Sequence, residues 1–259
     1  DAGGNGVYDV TVTISDGTNT GSTITYAVTV TDVNDQTPTY SSSDTTPDIA
    51  EGTTAVETVA ITDTDTGDSN TCTRAGADAA LFTCTVTATQ YVLAFANAED
   101  YESADDSGGN NVYDVTITIG DGTNTGSTIT YAVTVTDVND QTPTYSSSDT
   151  TPNVNEGTTA VETVAITDTD TGDSNTCTKG GADAALFTCT VTATQYVLAF
   201  AAAEDYDDPD DNGGDNVYDV TITIADGTNT GATITYAVTV DDTNDQTPTY
   251  SSSDTTPNV

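Results

Sequence analysis

The feature that most limits what this chain can fold into is an internal period. Asp32, Asp137 and Asp242 each open a segment Asp-x-Asn-Asp-Gln-Thr-Pro, and they stand 105 residues apart. The same step relates Tyr8, Tyr113 and Tyr218, Cys72 and Cys177, and Cys84 and Cys189. Residues 44–148 and 149–253 differ at 15 of 105 positions, and five of these (102, 103, 104, 107 and 110) fall in one acidic loop, where a tip tolerates change. A period of this length predicts similar domains joined end to end rather than one large core. The expected division is 1–40 as the C-terminal part of a repeat, 41–145 and 146–250 as complete repeats, and 251–259 as the start of the next. The first 40 residues hold two strand-like runs, too few to bury a core alone. The chain is therefore expected to be an excerpt of a longer array, or to have its ends completed by neighbouring copies.

Within a repeat the apolar residues alternate with a period of two, and no helical period competes with it. Tyr113, Val115, Ile117 and Ile119 face one way, while Asp114, Thr116 and Thr118 face the other. Ile129, Tyr131, Val133 and Val135 repeat the pattern after the turn-rich connector Gly120–Gly126. Ala55–Thr62, Phe82–Ala88 and Gln90–Phe95 read as further strands, with short edge strands near Pro47–Glu51 and Asn70–Thr73. About seven strands in roughly 100 residues predict an all-β chain of tandem Greek-key β-sandwiches of immunoglobulin-like architecture. Two readings of the Thr-rich outer faces stay open: β-propensity with solubility, and O-glycosylation of exposed Thr and of Thr39–Thr46.

Charge narrows the partners. The chain carries 42 acidic residues against two basic ones and no His, for a net charge of −40. Nucleic acid is excluded, because phosphate binding needs Lys and Arg to release counterions. Self-repulsion on this scale would favour disorder unless cations offset it, and metal ions are the simplest candidate. No apolar run is long enough to span a membrane. Cys72 with Cys84 and Cys177 with Cys189 recur at equivalent places, which predicts one disulfide per repeat and an oxidising, extracellular or cell-surface setting. A zinc site is disfavoured, since there is no CxxC spacing and no His. Arg74 and Lys179, the two bases, occupy one equivalent position and read as surface charges, with a contact to a neighbouring strand of an assembly as the alternative.

The recurrent segment after each second long strand is dense in hard oxygen donors, two carboxylates and an amide within four residues, and it ends in Pro. It reads as an inter-domain linker that binds calcium. Around it lie Glu51, Asp63-Thr-Asp65, Asp100-Tyr-Glu102, Tyr113 through Asp121 and Asp137-Val-Asn139-Asp140, in that order. The next repeat supplies Glu156, Asp168-Thr-Asp170, Asp205-Tyr-Asp207, Asp226 and Asp242-Thr-Asn244-Asp245. This order resembles the cadherin repeat over essentially the whole 105-residue unit. The resemblance implies about three Ca2+ ions per junction. At the complete junction the ligands would be Glu51, Asp100 and Glu102, then Asn139 and Asp140 with the backbone oxygens of Val138 and Gln141, then Asp168, Asp170 and Asp226. The earlier junction keeps Asn34, Asp35, Asp63, Asp65 and Asp121; the later one keeps Glu156, Asp205, Asp207, Asn244 and Asp245.

Three departures from the family pattern stand out. Gln36, Gln141 and Gln246 replace the last Asn of the linker, a position that coordinates in the family through its carbonyl. Asn70 and Asn175 lie one residue later than the family's Asn, which leaves their role open. Asp207 shortens the arm that Glu102 has. An EF-hand loop fails on spacing, because Arg74 and Lys179 stand where its closing Glu belongs. No His, no spare Cys and no nucleophile elbow argue against an enzyme. The expected function is a calcium-rigidified extracellular repeat array forming a stalk or fibre, with neighbouring repeats and other copies as partners. The alternative is an adhesin that grips cells or glycans. The Thr/Asp-rich, Lys-poor composition suggests a microbial surface protein.

Overall fold

The computed structural model describes Asp1 and residues 3–251, so most of the expected partial repeat at 251–259 lies outside the described residues. The chain separates into two compact units, Asp1–Thr136 and Asp137–Val259. Each contains one complete sandwich, and the first also carries a hairpin ahead of it.

The hairpin pairs β1 (Val7–Ser15) with β2 (Thr20–Thr29), Val10 opposite Tyr26 and Val12 opposite Ile24. The first sandwich has two four-stranded sheets. One is ordered β4 (Asp48–Ala50), β10 (Ile129–Thr136), β9 (Val112–Gly120), β6 (Thr71–Ala75). The other is ordered β3 (Thr39–Tyr40), β5 (Ala55–Thr62), β8 (Gln90–Phe95), β7 (Phe82–Val86). All pairings are antiparallel except β4 with β10, which is parallel. β3 and β4 are two pieces of one entering segment that changes sheets, so the expected seven strands become eight short ones.

The second sandwich repeats this plan. Its sheets run β12 (Asn153–Asn155), β18 (Ile234–Asp241), β17 (Val217–Ala225), β14 (Thr176–Gly180), and β11 (Thr144–Tyr145), β13 (Ala160–Thr167), β16 (Gln195–Phe200), β15 (Phe187–Val191). β11 pairs with β13, so this sandwich takes in residues just ahead of 146.

Alternation places the core where the pattern predicts. Tyr113, Val115, Ile117 and Ile119 of β9 and Tyr131 and Val133 of β10 are fully buried against Phe82, Tyr91 and Leu93 of the facing sheet. Tyr218, Val220, Ile222, Ile224, Tyr236 and Val238 do the same in the second sandwich. The hairpin offers the contrast. Its equivalent residues, from Val12 at 43% to Ile14 at 76%, are exposed, because no second sheet faces them among the described residues.

Two features were not expected. One 3-10 turn sits at Ala79–Leu81 and another at Ala184–Leu186, where only strands and loops are predicted. The preceding Asp78 fixes the first by accepting the amides of Ser107 and Asp114, both at 2.7 Å. A buried polar chain also crosses the core: Tyr91 Oη meets Tyr131 Oη at 2.8 Å, Tyr131 donates to Glu57 at 2.5 Å, and Ser42 donates to the same carboxylate. Tyr196, Tyr236, Glu162 and Ser147 repeat it. Every member is satisfied, as a buried polar group must be.

Both disulfides form as expected, Cys72–Cys84 and Cys177–Cys189, each with Cα atoms 6.2 Å apart. Each ties an edge strand of one sheet to an edge strand of the other, β6 to β7 and β14 to β15. Arg74 and Lys179 are spent locally, donating to the carbonyls of Ala79 and Phe187.

Candidate metal centres

Each unit carries two acidic groups. In the first unit the strand-end segment Asp63-Thr-Asp65-Thr-Gly67-Asp68 meets the β9 end at Asp121. One carboxylate oxygen each of Asp63, Asp68 and Asp121 lies within 4.8 Å of the others. Asp121 is buried, and Asp63 Oδ2 and Asp68 Oδ2 are buried atoms with no hydrogen-bond partner. A solvated acidic turn would not bury carboxylate oxygens unpaired, since an ion taken out of water needs a counter-charge.

The Asp32–Pro38 segment is laced onto this group. Asp32 accepts from the amide and hydroxyl of Thr66 at 2.6 and 2.8 Å, and Gln36 N–H donates to Asp65 at 2.7 Å. Asn34 donates to the Asp121 carbonyl at 3.4 Å and accepts from Asn124 at 2.9 Å, while Asp35 accepts from the Gln36 side chain. Pro38 then passes over Gly126, where a Cβ would stand 2.7 Å from the Pro38 carbonyl and 2.6 Å from Tyr40 Cε1. Only a glycine admits that crossing.

The second unit builds a corresponding site with Asp170 in place of the residue equivalent to Asp68. Asp168, Asp170 and Asp226 present oxygens within 4.8 Å of one another, and Asp170 Oδ1 and Asp226 Oδ2 are buried and unpaired. Asn139 donates to the Asp226 carbonyl at 3.5 Å, Gln141 N–H donates to Asp170 at 2.9 Å, and Asp137 accepts from Thr171. Asp140 is held by the Gln141 side chain at 2.8 Å. Burial raises Asp168, and the neighbouring Asp173 carboxylate raises it further. Burial likewise raises Asp170. Asp226 is lowered: burial opposes ionisation, but the Asn229 and Thr228 amides outweigh it. One oxygen of Asp226 is thus committed to the turn and the other is left over.

The other acidic group of each unit is built on Glu51 or Glu156. Glu51, Asp100 and Glu102 bring oxygens within 4.8 Å of one another, with Glu51 accepting the Tyr101 amide at 2.7 Å. Glu156 accepts the amides of Tyr206 at 2.8 Å and Thr243 at 2.6 Å, and the Thr243 amide lowers its pKa most. Asp205 accepts the Asp207 amide at 3.0 Å, and Asp245 accepts from the Gln246 side chain at 3.0 Å. Burial raises Asp207, with Asp242 the largest of the neighbouring charges that add to it. Asn244 lines a shallow pocket with Asp207, Asp242 and Thr243.

Of the residues expected as ligands, Asp63 and Asp121, Asp168, Asp170 and Asp226, and Glu51, Asp100 and Glu102 bring carboxylate oxygens within 4.8 Å of one another. The sequence expectation did not include Asp68, Asp173, Asn124 or Asn229, and it placed Asp32 and Asp137 in the linker motif without a ligand role of their own. Asn70 and Asn175, whose role was open, aim their amides at the β7–β8 and β15–β16 turns: Asn70 at Thr87 and Ala88, Asn175 at Ala193.

No protein-family model and no curated protein matches this chain. Solved structures do. The human Protocadherin-24 EC1-2 structure aligns with a TM-score of 0.57 at 19% identity over 82% of this chain and 99% of its own. The repeats are cadherin-like in fold. Protocadherin Gamma B2 extracellular cadherin domains 1-5 align at 0.56 and 19% identity over 95% of this chain and 47% of that one. Mouse PcdhgC3 EC1-3 aligns at 0.56 and 22% identity, over 91% and 77%. The cadherin-like chain spans about half the length of the first protocadherin structures it matches. No helix among the described residues is long and apolar enough to cross a membrane.

Proposed function

We propose that this chain is a segment of an extracellular, calcium-binding array of cadherin-like repeats that serves as a surface stalk or fibre. The observation that carries the reading is the set of buried carboxylate oxygens with no partner at Asp63, Asp68, Asp170 and Asp226. Hard oxygen ligands in this number, with no nitrogen or sulfur donor, fit Ca2+. When bound, the ion would supply the positive charge that these groups lack. Asp63, Asp65 and Asp121 would hold it with Asn34 and Asp35; Asp168, Asp170 and Asp226 would do so with Asn139 and Asp140. Glu51, Asp100 and Glu102, and Glu156, Asp205, Asp207, Asn244 and Asp245, would complete the ligand shells of successive repeats, with about three ions at each complete junction as the family resemblance implies.

The division into repeats at 1–40, 41–145, 146–250 and 251–259 belongs to this proposal, with the linkers as its metal-bearing punctuation. The array has no catalytic role in this reading. O-linked glycans on exposed Thr and Ser, and lateral contacts between copies, would suit a fibre. An adhesin is the second reading; its support is that one matching structure is a protocadherin gammaB7 cis-dimer.

Calcium that exceeds its Kd about a hundredfold stabilises by about 2.7 kcal/mol per site. Melting of the full chain should therefore shift well upward from chelator to millimolar calcium, with several ions bound per chain by titration calorimetry. Equal melting in both conditions, with no binding heat, would remove calcium from the proposal and leave the disulfides and cores as the only fasteners.

A further inference from the structure

Asp68 and Asp173 lie outside the family's ligand pattern and outside the set read from the sequence. We propose that they are direct side-chain ligands that give the DxD site of each repeat a fourth carboxylate. The inference rests on the calcium reading above and deepens it.

Three observations lead there. Asp68 presents an oxygen within 4.8 Å of oxygens of Asp63 and Asp121, and its Oδ2 is buried with no partner. Asp173, at the equivalent position of the next repeat, keeps a buried Oδ2 with no partner, as Asp168 does on both oxygens. In the second repeat Asp170 and Asp226, 7% and 5% exposed, each keep one unpaired oxygen and present an oxygen within 4.8 Å of one of Asp168. Carboxylate oxygens buried together without hydrogen-bond donors lack a counter-charge, which a bound cation would supply.

The chain geometry explains how the extra ligand arrives. Gly67 and Gly172 adopt φ of 90° and 88°, a conformation that side chains disfavour. That left-handed step turns the chain back on itself, so the residue after Gly points toward the first Asp of the DxD pair. The one-residue displacement of Asn70 and Asn175 is the other half of the change. Their amide nitrogens bind the hairpin carbonyls, while their Oδ1 atoms, like the carboxylate oxygens, stay buried without a partner. The donor set becomes Asp63, Asp65, Asp68 and Asp121 in one repeat and Asp168, Asp170, Asp173 and Asp226 in the next. Four carboxylates from a single sandwich form a strongly anionic site, and calcium affinity rises with ligand charge.

The test is calcium titration calorimetry on the full oxidised chain, comparing wild type, Asp173→Asn, Asp168→Asn and the strand-face charge control Asp219→Asn. The inference expects Asp173→Asn to weaken one class of sites roughly tenfold or more, as Asp168→Asn does, with Asp219→Asn unchanged. In chelator Asp173→Asn should melt no lower than wild type, because it relieves the repulsion with Asp168; a purely structural role would lower it in both conditions. Asp68→Asn repeats the measurement in the other repeat should Asp173→Asn fail to fold. If Asp173→Asn and Asp68→Asn bind like Asp219→Asn while Asp168→Asn is weakened, the fourth ligand is refuted and the calcium reading survives. If the wild type binds no calcium, both fall together.

Discussion

At the scale of single residues, the chain is governed by what happens to carboxylates removed from water. The ligand groups are one case, and Glu99 is another. It is buried beside Asp105 and Tyr113, and burial first, then Asp105, raises its pKa to about 7. Glu204 is raised by burial and Asp210 in the same way. A folded-state pKa above the unfolded value means that the proton stabilises the fold. That contribution is fully present below about pH 4.5, the ordinary Glu value, and is lost as pH rises through about 7. The metal-free chain should therefore melt lower at pH 8 than at pH 5, and Glu99→Gln with Glu204→Gln should flatten that dependence. Thermal melts in chelator across this range decide it; an equal slope in the double variant would show that other groups carry the effect. Neither Glu could be singled out in sequence, because nothing local distinguishes a buried Glu from a solvated one.

At the scale of elements, period-two alternation is enough to draw most strands. Ala55–Thr62 and Gln90–Phe95 match their predicted bounds, and the run through Ile129, Tyr131, Val133 and Val135 lies within the strand Ile129–Thr136. The outward Thr residues are explained in part by pairing: Thr116 meets Thr130 at 3.1 Å and Thr223 meets Thr233 at 2.7 Å across neighbouring strands. The split of the entering segment into β3 and β4, and the 3-10 turns, depend on contacts with residues far along the chain, which no local pattern encodes. Both disulfides join edge strands across a sequence separation of 12. Closing a loop of this length is worth about 3 kcal/mol by its effect on the unfolded chain. Cys177→Ala with Cys189→Ala should lower the denaturant midpoint of the second sandwich accordingly. A shift below a few tenths of a kcal/mol would mean that the sheet edges are fully held by packing.

At the scale of the whole molecule, the net charge of −40 dominates. Like charges that face water repel over a Debye length of about 10 Å at 0.1 M salt, falling to about 3 Å at 1 M. In chelator, adding sodium chloride should raise the melting temperature appreciably. In calcium the same salt should raise it less, because the closest carboxylates would already be neutralised. A salt response that is the same in both conditions would show that the clustered acids contribute little to the repulsion.

The sequence by itself determined the repeat, the alternating strands, the disulfide partners and nearly all of the acidic residues that gather. Those features are written in spacing: a period of 105, a period of two, and ligand pairs two residues apart. Only the tertiary structure decided which carboxylate oxygens are spent on backbone amides and which are left buried and unpaired. It alone brought Asp68 against Asp121, fastened the Asn70 amide nitrogen to the β7–β8 turn, and lined the Tyr131–Glu57 chain through the core. The reason is physical: whether a polar atom is satisfied depends on every segment packed against it, and burial is set by the facing sheet rather than by neighbours in the chain.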